Sequence, residues 1–99
     1  MDPKRLDAAL AAEFGGTAAE RRAVVRSARD LADSGKPSRD RGHALTVPDI
    51  IRHLSDAPDD SSLLDRWNWW MGALDVAYGG YDYFTVRFIE GDDEAELRR

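Results

Sequence analysis

The side chains around His53 are the first group in this sequence that could do chemistry. Asp49 lies one helical turn before His53, and Asp56 lies one turn after it. An imidazole and two carboxylates at this spacing share one side of a helix, where they could bind a divalent cation. The same spacing is typical of ion pairs on the surface of an amphipathic helix, and we expect that role here. The sequence therefore predicts no metal site and no cofactor.

A second candidate is the run Ser-Gly-Lys-Pro-Ser at residues 34–38, which is similar to part of a phosphate-binding loop. Asp30 stands where that motif requires its first glycine, and Pro37 interrupts the Gly-Lys-Ser/Thr sequence. The chain contains no cysteine, which excludes thiolate zinc sites and cysteine nucleophiles. With no serine in a nucleophile-elbow pattern either, we predict no catalytic residue. A small enzyme is the third interpretation.

Basic side chains are concentrated in one part of an acidic chain. The formal net charge is −5 and the sequence pI is near 4.9, whereas residues 20–43 contain seven basic and four acidic side chains. Three of the basic residues recur at i, i+4 and i+7 on one predicted helix face, and three more follow in a predicted loop. Such cations could contact the phosphates of a nucleic acid or another acidic macromolecule. The candidate anion or nucleic-acid contacts are Arg22, Arg26, Arg29, Lys36, Arg39 and Arg41.

A nucleic-acid-binding accessory or regulatory protein is therefore the alternative function. Two predicted helices joined by residues 56–60 also suggest a helix-turn-helix. However, the second of these helices offers only Arg66 and Asn68 beside apolar or acidic groups, and the acidic linker would repel a phosphate backbone. We favour the interpretation that the arginines form a solvated helix face that meets carboxylates of a partner copy or of the C-terminal tail.

The spacing of apolar residues and caps predicts a mainly α protein. We expect a small bundle of four helices and one C-terminal β-strand, which becomes α+β if the strand pairs. Capping signals and glycine pairs set the expected ends. The four predicted helices span about residues 3–14, 17–34, 46–55 and 62–78, with residues 36–42 as a loop.

The strand is predicted from an alternating pattern near the C-terminus. Phe84, Val86 and Phe88 alternate with more polar positions, which favours a strand over residues 83–89. A lone strand leaves its backbone groups unpaired, and only residues 43–47 could pair with it inside the chain. Otherwise it must pair with a second copy across a two-fold axis. We expect one globular domain over residues 1–89 and a charged, flexible tail over 90–99.

The three tryptophans divide between two sides of the last predicted helix. Trp67 and Trp70 share a broad apolar arc that predicts a core position. Trp69 projects from nearly the opposite side, with Val76 one helical repeat further on and Ala73 between them. Either the strand folds over this patch or a second copy packs on it. The candidate self-association residues are Trp69, Ala73, Val76, Tyr83, Thr85 and Arg87.

The use of charged residues adds a resemblance. The sequence has 14 Asp against 5 Glu and 12 Arg against 2 Lys. With the runs Arg-Trp-Asn-Trp-Trp at 66–70 and Ala-Tyr-Gly-Gly-Tyr at 77–81, this bias resembles small uncharacterised proteins of halophilic archaea, over roughly residues 17–88. Arginine is also favoured by GC-rich coding, so an actinobacterial origin stays open. The resemblance implies no activity and no site residue.

Taken together, these patterns favour a non-enzymatic homodimeric association module. No apolar run approaches the length of a membrane span, and the first residues lack a signal-peptide core. We therefore expect a cytoplasmic protein whose partner is another copy of itself, with no membrane contact.

Overall fold

A computed structural model describes residues 1–87 of the chain, and within that range it is mainly helical, as predicted. The five α-helices of this part are followed by one 3-10 turn. They are α1 Pro3–Phe14, α2 Ala18–Ser34, α3 Lys36–Arg41, α4 Val47–Leu54 and α5 Leu63–Tyr78, with the 3-10 turn at Asp82–Phe84. None of the helices in the described range combines the length and apolar character needed to cross a membrane.

Side-chain caps fix where the longer helices begin, as the sequence predicts. The Asp2 carboxylate accepts from backbone N–H groups at the start of α1. At α2 the capping box is complete, since Glu20 N–H donates to Thr17 Oγ1 at 3.0 Å and Thr17 N–H donates to Glu20 Oε1 at 2.9 Å. At the starts of α4 and α5, Thr46 Oγ1 accepts from Asp49 N–H and Ser62 Oγ accepts from Asp65 N–H. These starts depend on local hydrogen bonds, so they can be recognised in the sequence.

The predicted loop at residues 36–42 is wrong, because Lys36–Arg41 form the short helix α3. Gly35 adopts a left-handed conformation with φ of 73°, which ends α2 and turns the chain directly into α3. Pro37 lies in the first turn of α3, where its missing N–H costs no helical hydrogen bond. Gly42, at φ 84°, ends the helix. Gly35 and Gly42 therefore bracket a helix here, and Pro37 lies in its first turn. These residues do not mark a loop.

The core lies where α1, α2, α4 and α5 meet. α1 packs against α2 and α4, and α5 packs against the same two helices. Trp67 is fully buried and Trp70 is 3% exposed, and their rings meet edge to face at 5.8 Å, which confirms their predicted core positions. Met71 and Leu74 continue this buried side of α5, whereas Tyr78 at its end is exposed. Two of the three tryptophans thus lie in one core with the buried side of α5.

The predicted C-terminal strand is also wrong for the residues that can be examined. Residues 83–87 contain the end of the 3-10 turn and an extended stretch without strand pairing. Residues 43–47, the expected partner, form no strand either, and Val47 begins α4. Burial decreases along this stretch, because Phe84 is buried, Thr85 and Val86 are half-buried and Arg87 is exposed. Phe88, Ile89 and the predicted tail at 90–99 lie outside the described residues.

Candidate functional site

Side chains from α2 and α5 hold the C-terminal segment, which we define as residues 81–87. The Phe84 carbonyl accepts from Ser27 Oγ and, at 2.9 Å, from Trp67 Nε1. Asn68 pairs twice with Val86, since its Nδ2 donates to the Val86 carbonyl at 2.9 Å and its Oδ1 accepts from the Val86 N–H at 2.8 Å. These bonds satisfy backbone groups that would otherwise need a neighbouring strand.

The other end of the segment is fixed by Asp75. Its Oδ1 accepts from Tyr81 N–H at 2.9 Å and from Asp82 N–H at 3.3 Å. Asn68 and Asp75 lie seven residues apart on α5, so two polar side chains on one helix anchor the segment at both ends. The need for an unpaired strand to find a second copy therefore disappears, and it no longer supports self-association.

The opposite side of α5 carries an exposed apolar surface, which we call the Trp69 face: Trp69, Gly72, Ala73 and Val76. Trp69 is 44% exposed and Val76 is 90% exposed. A Cβ atom added at Gly72 would meet no other atom within 4 Å, so the surface between the two large side chains is open. The segment at 81–87 does not cover this face. Trp69 thus differs from Trp67 and Trp70 in direction and burial, as the helical periodicity predicts.

The remaining self-association candidates lie elsewhere. Tyr83, Thr85 and Arg87 line a groove of about 390 Å³ between α2 and the C-terminal segment, opposite Arg22 and Arg26. We call it the arginine groove. The fold thus brings two candidate anion contacts, Arg22 and Arg26, close to candidate self-association residues. It places Tyr83, Thr85 and Arg87 away from the Trp69 face.

The charged groups of the arginine groove and the Tyr83 ring are exposed. Within residues 1–87, no hydrogen bond or ion pair engages the Arg22 guanidinium. Arg87 forms an exposed ion pair with Asp82, with 3.3 Å between Nη2 and Oδ2. Tyr83 is 86% exposed and its ring meets Phe84 edge to face at 5.2 Å. Of the described residues that line the groove, only Asp30 carries a carboxylate.

The third arginine of the predicted stripe has different surroundings. Arg29 lines a second depression of about 310 Å³, together with Asp7, Asp30 and Asp33. Arg22 and Arg26 line this depression too, so all three arginines of the stripe lie near three carboxylates. These carboxylates belong to α1 and α2, whereas the sequence analysis expected the arginines to meet carboxylates of a partner copy or of the tail.

The other three candidate cations make contacts that stabilise the fold. Lys36 Nζ lies 3.1 Å from Asp40 Oδ2 within α3. Arg39 Nη1 donates to the Ser34 carbonyl at 3.2 Å, across the turn between α2 and α3. Arg41 forms a largely buried ion pair with Asp49. The structure therefore does not bring Lys36, Arg39 and Arg41 into the groove with Arg22.

That ion pair is part of what we call the Arg41 cluster, which joins α3 to α4 and α5. Asp49, 7% exposed, accepts from Arg41 at 2.7 and 3.0 Å and from Arg52 at 3.1 Å. His53 Nε2 lies 3.3 Å from Asp49 Oδ1. The His53 ring stacks on Trp70 with 4.8 Å between centroids, and the Arg41 guanidinium lies 5.6 Å from the Trp70 ring.

Burial and charge set the ionisation of this cluster. Burial opposes ionisation of Asp49, but hydrogen bonds and positive charge from Arg41 and Arg52 outweigh it and lower the Asp49 pKa. Burial lowers the pKa of His53, and the charge of Arg41 adds to the effect. His53 is therefore neutral at pH 7, beside an ionised Asp49. Two guanidiniums take the carboxylate that a metal would need, and residues 1–87 contain no group of three metal-ligating side chains.

Tyr81 links the C-terminal segment to α3. Its side chain is fully buried, and its hydroxyl donates to Asp40 Oδ2 at 2.9 Å. Burial and this hydrogen bond raise the pKa of Tyr81, so the phenol stays protonated at neutral pH. The contact is a structural one, because the carboxylate receives the only proton that the phenol can donate.

Sequence reasoning missed the residues that hold the segment. The sequence patterns indicate Asn68 only as a polar group of a possible recognition helix and give Asp75 no role, yet both side chains are half-buried. A signal was present in the sequence, since two polar residues seven apart on a strongly apolar helix favour a specific hydrogen-bonded role. Nothing local indicates that their partners are backbone groups of residues 81–86.

The comparisons with known proteins place the chain in a family. The model of the WNWW domain family matches residues 1–75, which is most of the 99-residue chain. The four letters of its name are the run at residues 67–70, where Trp67 and Asn68 hold the C-terminal segment and Trp70 packs on His53. No curated protein and no solved structure matches the chain. The protein belongs to the WNWW domain family.

Proposed function

We propose that this protein is a non-enzymatic association module that forms a homodimer through the Trp69 face. The observation that carries the proposal is the exposure of Trp69 and Val76 on the outer side of a helix whose inner side is fully packed. Exposed apolar side chains grouped on one surface are typical of interaction sites. Tryptophan is also the residue most enriched among those that dominate binding energy at interfaces.

The spacing along α5 favours a second copy as the partner. Trp69 and Val76 are equally distant in sequence from the point between Gly72 and Ala73. If two α5 helices cross antiparallel at that point, each Trp69 faces the partner's Val76, and the same contact occurs twice. This is the self-complementary arrangement that a two-fold interface requires. Gly72 and Ala73 at the crossing allow a helix separation of about 8 Å, at the close end of the usual range.

The size of the face sets the expected affinity. A stable complex usually buries about 800 Å² on each partner. One helix side with two large apolar residues supplies less, so we expect dissociation in the micromolar range. Two chains that each carry a charge of −5 also repel one another. The dimer should therefore tighten as salt screens this repulsion.

The occupied polar groups support a non-enzymatic role. Every buried side-chain nitrogen or oxygen within residues 1–87 has a hydrogen-bond partner. The two residues with the most unusual surroundings, Asp49 and Tyr81, already bind Arg41 and Asp40. Catalytic groups need a free lone pair or proton directed towards a substrate. The cytoplasmic location expected from the sequence stays a prediction.

Light scattering coupled to size exclusion tests the dimer. The wild-type chain should have twice the monomer mass at high micromolar concentration. Trp69→Asp should weaken the dimer by about 30-fold or more, the loss expected for a hot-spot residue. Val76→Asp should act in the same direction, and both variants should keep their helical circular dichroism because the two side chains are exposed.

Tyr83→Asp is the matched control. It places the same charge on another exposed aromatic residue that lies outside the Trp69 face, so its mass should equal that of the wild type. A monomeric wild type over the whole concentration range would refute the proposal. An equal loss of mass in the Tyr83→Asp and Trp69→Asp variants would refute the assignment of the interface.

A further inference from the structure

The arginine groove is a second surface whose chemistry the Trp69 face does not explain. We propose that it binds a single-stranded nucleic acid, with phosphates on Arg22 and Arg87 and a base stacked on Tyr83. The groove does not include the Trp69 face, so this proposal can fail while the homodimer stands, and the reverse also holds.

The charge of the groove is the first reason. Arg22 and Arg26 on one wall and Arg87 on the other line this groove with a single described carboxylate, Asp30, while the other side of Arg22 and Arg26 adjoins Asp7 and Asp33. The whole chain is acidic, with a charge of −5, so this local excess of positive charge differs in sign from the average surface. A recessed site of one sign concentrates ligands of the opposite sign. Guanidinium groups also bind phosphate through two parallel hydrogen bonds, which suits them to a phosphate chain.

The availability of two arginines is the second reason. The Arg22 guanidinium has no hydrogen bond or ion pair with any residue in the described range. Arg87 contacts Asp82, but the two side chains are 70% and 71% exposed. An ion pair in water at such exposure contributes little to stability. Arg87 can therefore exchange this carboxylate for a phosphate at little cost in free energy.

Tyr83 is the third reason, and it favours a nucleic acid over an acidic peptide. Its ring is 86% exposed, and its edge-to-face contact with Phe84 leaves a face for stacking. The Phe84 carbonyl accepts hydrogen bonds from Ser27 and Trp67, which fixes the residue against which the Tyr83 ring packs. Exposed aromatic rings beside a positive groove are the usual platform for unpaired bases. An acidic peptide would use the arginines but would have no use for the ring.

A groove of this kind selects single strands. The bases of a duplex are already stacked and paired, and they cannot turn onto a ring at the edge of a recessed site. The acidic residues that argue against a helix-turn-helix lie in the loop at 56–60 and at the start of α5. None of them lines this groove. The inference thus departs from the six-cation stripe, because Arg29, Lys36, Arg39 and Arg41 take no part in it.

Fluorescence anisotropy of a labelled oligothymidine of about 12 nucleotides, titrated with the full chain over a range of salt, tests the proposal. Binding should weaken with salt, and the slope of log affinity against log salt should be about −0.7 for each phosphate contact. Arg22→Gln and Arg87→Gln should each weaken binding and make the slope shallower by about 0.7. The control is Arg5→Gln, which removes the same charge from an exposed position on α1 and should change neither quantity.

The Tyr83 variants distinguish the two possible ligand classes. Tyr83→Leu should weaken oligothymidine binding by at least about fivefold, and Tyr83→Phe should restore it, since stacking needs only the ring. A labelled glutamate peptide of the same length should bind more weakly, and Tyr83→Leu should not change its affinity. Three results would overturn the proposal: no salt-dependent binding of oligothymidine, an equal loss in Arg5→Gln and Arg22→Gln, or equal binding of peptide and oligothymidine with no effect of Tyr83→Leu. Trp69→Asp should leave the affinity unchanged, which separates this test from that of the dimer.

Discussion

At the junction of α3 and α4, the buried carboxylate of Asp49 holds Arg41, Arg52 and His53 in fixed positions. Removing a single partner from such a group leaves a charge in a poorly hydrated site, which is far more costly than losing a surface ion pair. His53 also fills space, because its ring stacks on Trp70. These contacts stabilise the junction, and Arg41 and Arg52 occupy the carboxylate that a metal ion at His53 would use.

The ionisation of His53 gives a prediction at the same scale. Burial lowers the pKa of His53 in the folded chain, so the unfolded chain takes up a proton first as pH falls below about 6.5. The free energy of unfolding therefore decreases as pH falls through that range towards the folded pKa. The lowered pKa of Asp49 acts with the same sign at more acidic pH, since its stabilisation is present above its unfolded pKa.

His53→Phe keeps the stacking on Trp70 and removes the titration. We expect urea denaturation to show a smaller loss of stability for this variant than for the wild type between about pH 7 and pH 5. His43→Phe, at the exposed second histidine, should retain the wild-type loss. Parallel curves for His53→Phe and wild type would contradict the assignment of this pH dependence to His53.

Among the elements, the C-terminal segment is held in place by side chains of α5, and nothing in the sequence of the segment itself indicates this. Asn68 gives Val86 both a donor and an acceptor, as a neighbouring strand would. Each such hydrogen bond contributes about 1 kcal/mol net. Asn68→Ala should therefore lower the free energy of unfolding by about 1–2 kcal/mol, because both partners are only half-buried. Urea denaturation followed by tryptophan fluorescence measures the change.

Asn68→Asp is the comparison, since it keeps the acceptor for the Val86 N–H and loses the donor. At neutral pH its stability should be no higher than that of Asn68→Ala, because a carboxylate oxygen then faces the Val86 carbonyl. If Asn68→Ala unfolds at the wild-type urea concentration, the hydrogen bonds to Val86 are not what holds the segment.

The elements also show what a sequence reveals. The starts of α1, α2, α4 and α5 were predictable because their caps join residues two or three apart. The alternating pattern after Phe84 was a weaker guide, since Thr85 and Val86 are both half-buried. The strand itself was a wrong prediction because the hydrogen bonds of Phe84 and Val86 come from Ser27, Trp67 and Asn68, distant in sequence. α3 was missed because Pro37 reads as a loop residue unless its place in the first helical turn is known.

For the whole molecule, the two candidate surfaces differ in how far the sequence could locate them. Helical periodicity alone separates Trp69 from Trp67 and Trp70, and the structure agrees. The arginine groove could not be found in this way, because Arg87 approaches Arg22 only when residues 81–87 fold back between α2 and α5. One surface is apolar and the other is basic, so self-association and anion binding should respond differently to the same substitutions.

The measurement that tests the central claim most directly is cross-linking through a single introduced cysteine. The chain has none of its own, and Ala73 lies next to the proposed two-fold axis. Ala73→Cys should form a disulfide-linked dimer rapidly under mild oxidation, because the two sulfur atoms meet across the axis within bonding reach. Ala11→Cys, at an exposed position on α1, should cross-link only slowly. Equal, slow cross-linking of both variants at high micromolar concentration would contradict a dimer built on the Trp69 face.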